Sequence, residues 1–386
     1  MNFNKPIKVA NIIEEGRIGG PQSRMLVVAA SLDKRISTTL IFPKTNSDEL
    51  QQKSDKLGVE YLLLPLTTLK RDWKTITKYL IFFIFEVIMI SILLKKHKFD
   101  IVHISGGSWQ YKGVLAAKLV GIKSVWHLND TFVPNIIRKI FSFTSFFADS
   151  FIYASHQTKK YYSKLISSNK KNFLIQAPVD IHFFNPNKNY QFDKFLKKKK
   201  FKKKIVIGTV ANINPAKGLD TFIKAKKELL SFEKDIIFII VGSISKSQKK
   251  YYDYLNNIIK DGNIKDIYFI NSRRDVRPLL KRFDIYVCSS DNEASPLSVW
   301  EAMSMKKPIV STNAGDIGKF IVNGVNGYLV NVGDEIALGK KIKKLSLNSN
   351  LRKKFGELAR KTAIKKLDLK ICTQLHLSAY QSIFKK

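Results

Sequence analysis

The sequence predicts an α/β protein made of two parallel-sheet halves, and three observations carry that expectation. Short strand-like runs alternate with helix-length segments from residue 7 to residue 153, the rhythm of parallel strands joined by crossover helices. A lysine-rich stretch, 188–204, interrupts the alternation, which restarts at Ile205. The chain has 386 residues, enough for two domains with a core each.

Composition narrows the function classes. The apolar and charged fractions are 45% and 25%, those of a folded globular protein rather than a disordered one. Cys288 and Cys372 lie far apart, so no disulfide framework or metal-ligand cluster is expected, in keeping with a reducing compartment. The N-terminus lacks the apolar core of a signal peptide, and export is not expected. The formal net charge is +36, which implies an anionic partner or surface. Readers of nucleic acid set arginines and aromatic platforms in organised basic patches. Here lysines are spread along the chain and no zinc-finger, homeodomain or RNP-type motif occurs. No nucleic-acid partner is expected, and a lysine- and isoleucine-rich composition also follows from an AT-rich genome.

In the first half, Ile7–Ile13 reads as a buried strand. The turn after it carries Gly19 and Gly20 and opens an apolar-periodic helix through Leu32. Strand, glycine turn and helix make a place where backbone N–H groups meet a phosphate. The spacing is not that of a dinucleotide fingerprint, and a paired glycine also serves as a plain turn. Strands are expected at Thr39–Phe42, Tyr61–Leu64, Asp100–Ile104, Ser124–Trp126 and Ser150–Tyr153. His127 then follows a strand end, beside Asn129 and Asp130, where open α/β sheets collect ligands.

The run Lys197–Lys200 with Lys202–Lys204 reads as a solvated linker or a polybasic membrane contact. Beyond it, strands are expected at Ile205–Val210, Ile236–Val241, Ile267–Ile270, Ile285–Cys288, Pro308–Ser311 and Gly327–Val330. Helices are expected at Leu219–Leu230, Lys249–Ile259 and Val276–Arg282, and basic helices finish the chain. Two such halves imply a cleft between them, a usual place for a ligand.

The stretch from Val287 to Ser311 holds Glu293 and Glu301, eight positions apart across a loop-to-helix junction. Ser295 is a good N-cap and Pro296 a good first helical residue. Glu301 then lies roughly 7 Å along the helix axis. The unpaired N–H groups at the helix start favour a phosphate. With an acid on each side, that suggests a nucleotide-sugar site; the plainer reading is a capped helix with two exposed glutamates.

Leu80–Leu94 breaks the pattern. Only Glu86 and Ser91 are polar in it, so a polar outer stripe is missing. It is short for a spanning helix, which needs about 20 apolar residues. Lys70, Arg71, Lys74 and Lys78 precede it, and Lys95, Lys96 and Lys98 follow. An interfacial helix on an anionic membrane is the preferred reading; a helix buried against a second helix or a partner subunit is the other.

Three motifs in the second half carry a family resemblance: Asn-Pro-Ala-Lys217-Gly218-Leu-Asp-Thr-Phe-Ile, then Phe283-Asp284-Ile-Tyr-Val-Cys-Ser-Ser, then Glu293-Ala-Ser-Pro-Leu-Ser-Val-Trp-Glu301. In order and separation they resemble the retaining glycosyltransferases of family 4, which have the GT-B fold: two Rossmann-like domains facing a central cleft. The third motif is similar to the E-x7-E signature of surface-polysaccharide enzymes. The segments at Pro308–Gly315 and Asn323–Val330 also match, as do the Gly19-Gly20 loop, His127 and Val179-Asp180 in position.

The resemblance implies an acceptor-side domain over 1–187, a linker over 188–204 and a nucleotide-sugar-binding domain over 205–367, with a helix at about 368–386 packing back on the first domain. It implies a metal-independent hexosyl-type transferase, with no cofactor and a UDP-, GDP- or similar nucleotide-sugar donor. The acceptor would be a glycan or a lipid-linked glycan of the cell surface, met by a cytoplasmic protein peripheral to the inner membrane face. Lys217 would meet the diphosphate, and Leu297, Ser298, Gly19 and Gly20 would give it backbone donors. Glu293 would bind the sugar, Glu301 the ribose, and Arg273 the base. His127 would sit near the sugar and acceptor. Asn212 departs from the family pattern, which has an arginine there beside the lysine, and the glutamate usual near Lys319 is missing. The competing readings are a non-catalytic GT-B-like binding subunit, a basic nucleic-acid binder supported by charge alone, and a UDP-sugar epimerase, which the Glu293/Glu301 arrangement fits less well.

Overall fold

The computed structural model describes residues 5–69, 72–131, 133–167, 169–191, 193, 195–196, 201, 203–229 and 236–385. Lys70, Arg71, Lys197–Lys200, Lys202 and Leu230, named above, lie outside these. The chain divides into two compact units: one runs to Ala177 and resumes at Leu369, and the other spans Pro178–Asp368.

The first unit has strands β1 (Ile7–Ile12), β2 (Ile36–Pro43), β3 (Tyr61–Leu64), β4 (Ile101–Ile104), β5 (Lys123–Leu128), β6 (Ser150–Tyr153) and β7 (Lys171–Leu174). Between them run helices α1 (Gly20–Ser31), α2 (Asp48–Leu57), α3 (Trp73–Lys96), α4 (Tyr111–Leu119), α5 (Asn135–Thr144) and α6 (His156–Tyr162). All neighbouring strands pair in parallel, in the order 3-2-1-4-5-6-7. Successive side chains point to opposite faces of a strand, and both faces are buried here. Ala10, Ile12, Val102 and Trp126 meet one apolar cluster, while Ile7, Val9, Ile101 and Val125 meet another.

The second unit has strands β8 (Ile205–Val210), β9 (Ile236–Val241), β10 (Ile267–Ile270), β11 (Ile285–Cys288), β12 (Ile309–Thr312) and β13 (Gly327–Val330). Its helices are α7 (Leu219–Ala225), α8 (Lys249–Asp261), α9 (Arg277–Arg282), α10 (Leu297–Ser304), α11 (Ile317–Phe320), α12 (Glu335–Leu347) and α13 (Ser349–Lys366). The parallel order, 10-9-8-11-12-13, reverses direction between β8 and β11. The last helix, α14 (Leu369–Phe384), belongs to the first unit. Each unit is thus a Rossmann-like parallel-sheet domain, as the alternation predicts.

Several expectations change. Strand β7 goes unforeseen because Lys-Asn-Phe-Leu is a half-exposed edge strand with little apolar signal. Strand β5 continues past Trp126, because His127 and Leu128 pair with Ile152 and Tyr153 of β6. The units divide near residue 178, not 188, and the lysine-rich stretch is not wholly a linker. Leu196 and Phe201 are buried in the core of the second unit, where each apolar side chain contributes about 1.5–3 kcal/mol. Phe201 packs against Phe195 and Tyr268 at ring-centroid distances of 5.2 Å. Helix α3 is longer than its apolar run, 24 residues, or about 36 Å.

Glu86, one of the two polar interruptions in that run, turns inward. Lys112 of α4 lies wholly buried, its Nζ 2.5 Å from Glu86 and 3.3 Å from Glu14 at the end of β1. The same ammonium donates to the Thr67 carbonyl at 2.7 Å and stands 3.8 Å from the Tyr79 ring centre. Tyr79 donates to Glu14 at 3.0 Å. Burial raises the Glu14 carboxyl against the opposing pull of Lys112.

Candidate functional site in the second unit

Lys217 and Glu293 stand on the loops that follow β8 and β11, the two neighbours at which the strand order reverses. In open α/β sheets, ligands bind outside the carboxyl ends of strands at such a point. Two hydrogen bonds to backbone carbonyls clasp the loops together. Asp291 N–H donates to the Ala216 carbonyl at 3.0 Å, and Ser289 Oγ donates to the Lys217 carbonyl at 3.1 Å. Gly218 makes the clasp possible. Its φ is +54°, and a Cβ there would stand 2.1 Å from the Ser289 carbonyl oxygen, so only glycine fits.

The clasp sets Lys217 Nζ 2.6 Å from Glu293 Oε1. Ser290 Oγ donates to the same oxygen at 2.7 Å, and Thr312 Oγ1 donates to the Ser290 carbonyl at 2.6 Å. Burial opposes the Lys217 ammonium, but attraction to Glu293 outweighs it and holds the amine above its ordinary range. Lys217 therefore carries its charge at neutral pH. The pair leaves some of each side chain open to solvent, 28% and 11%.

Helix α10 starts one residue later than expected, with Pro296 at the cap. Ser295 does not cap it, because its Oγ accepts the Trp300 indole N–H at 3.3 Å. Leu297 and Ser298 are the first two helical residues, whose N–H groups have no intrahelical acceptor. Glu301 lies one turn further in. Among the described residues no side chain hydrogen-bonds to its carboxylate, and burial pushes it up to about 8. A carboxylate that accepts ribose hydroxyls must be ionised. Nucleotide affinity is therefore expected to rise as pH climbs from 6.5 to 8.5, and Glu301→Gln should flatten the dependence. Titration calorimetry with UDP at several pH values checks this.

Asn212 is exposed and accepts from Ser243 Oγ at 3.1 Å. Arg273 turns to Asp193, with Nε 2.8 Å from Oδ2, and donates to the Asn271 carbonyl at 3.1 Å. Its guanidinium thus ties Asp193 to the loop after β10. Lys217, Glu293, Leu297, Ser298, Glu301, Asn212 and Arg273 all belong to that unit, whereas Gly19, Gly20 and His127 belong to the first. Gly19 caps α1 and Gly20 opens it, as the glycine turn predicts.

His127 is not at an open strand end. It lies fully buried within β5, its Nδ1 3.2 Å from His103 Nε2 and its Nε2 against Arg24 Nη1. The His103 ring stacks on His127 at 5.3 Å and on His376 at 5.9 Å. His103 Nδ1 meets the Tyr380 hydroxyl at 2.6 Å. Burial, then the charge of Arg24, then the other histidines push the His127 pKa well down. His376 falls to about 4, chiefly through burial. Such groups bind protons more readily when unfolded, so stability is lost as pH falls from 6.5 through the folded-state values. Melts between pH 7 and 4 should show a falling midpoint, with a shallower fall in His376→Gln.

Sequence reading missed Ser289, Ser290 and Asp291, although they adjoin the strand that delivers Glu293. It missed His103, His376, Arg24 and Tyr380 because the fold, not the chain order, brings them together.

Residues 191–362 match the model of the glycosyl transferases group 1. The chain is 27% identical over 264 residues to the Escherichia coli UDP-Gal:alpha-D-GlcNAc-diphosphoundecaprenol alpha-1,3-galactosyltransferase, an alignment covering 64% of this chain and 67% of that one. It is 22% identical to the Campylobacter jejuni N,N'-diacetylbacillosaminyl-diphospho-undecaprenol alpha-1,3-N-acetylgalactosaminyltransferase, over 94% of this chain and 95% of the relative. The crystal structure of Anabaena HepE in complex with UDP and glucose superposes with a TM-score of 0.82 at 18% identity, over 97% of this chain and 100% of that one. The two Rossmann-like sheets and this superposition show the GT-B fold, and residues 191–362 are similar to the glycosyl transferases group 1.

Proposed function

We propose that this protein transfers a hexosyl-type sugar from a UDP-sugar to a glycan or lipid-linked acceptor in surface-polysaccharide synthesis, with retention of configuration and without a metal ion. The observation that carries the reading is the Lys217–Glu293 pair, held where the strand order reverses. Relatives named for transfer to diphospho-undecaprenol acceptors, and a neighbour that holds UDP and glucose, support it.

Departure of a nucleoside diphosphate builds negative charge on its phosphate oxygens, and preorganised cations and N–H groups lower that barrier. Lys217 and the first N–H groups of α10 fill that role, and Glu293 accepts hydrogen bonds from the donor sugar. Glu301 accepts them from ribose. The acceptor hydroxyl attacks the anomeric carbon from the face the diphosphate leaves, and its proton passes to a leaving phosphate oxygen. The new glycoside and the nucleoside diphosphate balance the step.

We place the protein on the cytoplasmic side, peripheral to an anionic membrane that it meets through residues 74–98. Co-sedimentation with anionic liposomes tests that placement, and absence of binding at physiological salt would overturn it. A thermal-shift panel of nucleotide-sugars tests the donor. A ligand at a hundred times its Kd adds about 2.7 kcal/mol, whereas no shift with any UDP- or GDP-sugar would sink the reading. Asn212 favours a second reading, a non-catalytic binding subunit, since it brings no charge to a diphosphate. Donor hydrolysis or transfer by the purified chain would exclude it.

A further inference from the structure

Helix α3 is apolar on both sides, whereas a helix packed on a soluble domain shows a polar outer face. Its buried side carries Val87, Ile90 and Leu94 together with Tyr79, Glu86 and Ser91, while Leu80, Ile84 and Phe85 are 67%, 68% and 72% exposed. The apolar surface does not end with the helix. Between α3 and α4 lies a groove of about 280 Å³, lined by Phe83, Val87, Ile88, Leu115, Leu119 and Phe147. Phe147 meets Phe143 of α5 at 5.6 Å, and Phe143 and Phe146 are themselves exposed. Soluble monomers rarely leave apolar patches of more than a few hundred Å² uncovered.

Charge identifies the occupant. Lys118 also lines the groove. Lys74 and Lys78 near the start of α3, Lys95 and Lys96 at its end, and Arg138 and Lys139 on α5 are exposed. An apolar groove with a lysine in its lining, between helices that carry further exposed cations, matches a hydrocarbon chain that ends in an anion.

We propose that the α3–α4 groove is a binding site for one hydrocarbon chain of an anionic lipid, at the centre of the face that meets the membrane. The source of the lipid rests on the membrane placement proposed above, whereas the groove's chemistry stands on its own lining. A single chain enters between Ile88 and Leu119, and its headgroup stays at the surface beside Lys118. The outward residues of α3, Ile81 among them, rest in the surrounding leaflet.

The test uses the full chain and cis-parinaric acid, a single-chain carboxylate whose fluorescence rises when it leaves water. Saturable one-to-one binding is expected, displaced by dodecyl phosphate and not by inorganic phosphate. Leu119→Glu and Ile88→Glu, both at exposed positions, should weaken it at least tenfold with an unchanged melting midpoint. Ile81→Glu, outside the groove, should leave parinaric acid binding intact while reducing co-sedimentation with phosphatidylglycerol vesicles. Non-saturable uptake, displacement by inorganic phosphate alone, or unchanged affinity in both groove variants would overturn the groove site. If the vesicles still bind in that case, the membrane placement survives without it. Self-association in light scattering that disappears in Ile81→Glu, with no vesicle binding, would assign the face to a second copy instead.

Discussion

Lys217→Ala is expected to slow sugar transfer by about a hundred- to a thousandfold, the usual cost of removing one preorganised group that meets developing negative charge. The loss should appear in kcat and kcat/KM together, because the ammonium is needed most as the diphosphate departs. The fold should survive. The Lys217–Glu293 pair keeps some solvent contact, so its loss should cost less than the about 3–5 kcal/mol of a fully buried pair. Glu293 keeps the Ser290 hydroxyl as a partner in the variant. Steady-state rates beside thermal melts check both halves of the expectation. Lys217→Arg should recover part of the rate, since charge returns with a different shape. Turnover near wild type in Lys217→Ala would remove this residue from the site.

The largest effect on stability is expected at the buried ammonium of the first unit. Lys112→Met leaves Glu14 and Glu86 facing each other in the interior without a cation. Breaking a buried pair in this way costs about 3–5 kcal/mol. For a unit of this size that lowers the melting midpoint by roughly 6–20 °C. The deficit should shrink as pH falls, because protonation neutralises the two acids. Burial already raises the Glu14 carboxyl in the intact protein. Adding Glu14→Gln and Glu86→Gln should restore most of the midpoint. Calorimetry of the single and triple variants at pH 7 and pH 5 is the measurement. A single variant that melts like wild type would show that water reaches the acids.

The sheets and the loops that carry Lys217 and Glu293 were legible because their signals are local. Apolar runs such as Ile236–Val241 can only be buried strands in this setting, and glycine after Lys217 marks a tight loop. What escaped reading depends on contacts distant in sequence. Leu196 and Phe201 sit in or beside a charge run, yet their burial depends on Tyr268 and the core around β9–β11. His127 has polar neighbours along the chain, but pairing with β6 draws it inside, against histidines 24 and 249 positions away. Glu86 resembled a flaw in an apolar helix until Lys112 was placed beside it.

The return of α14 to the first unit has a consequence for biosynthesis. Cys372, Ala379, Tyr380 and Ile383 complete the core formed by Ile7, Val9 and Val125. The domain translated first therefore cannot close until α14 leaves the ribosome, whose residues are added roughly 10–40 s after Ala177. The domain translated second has all its residues earlier and can finish first. Loss of α14 by a premature stop would accordingly strike the first unit. It would leave the first unit without part of its core while the second unit has all its residues.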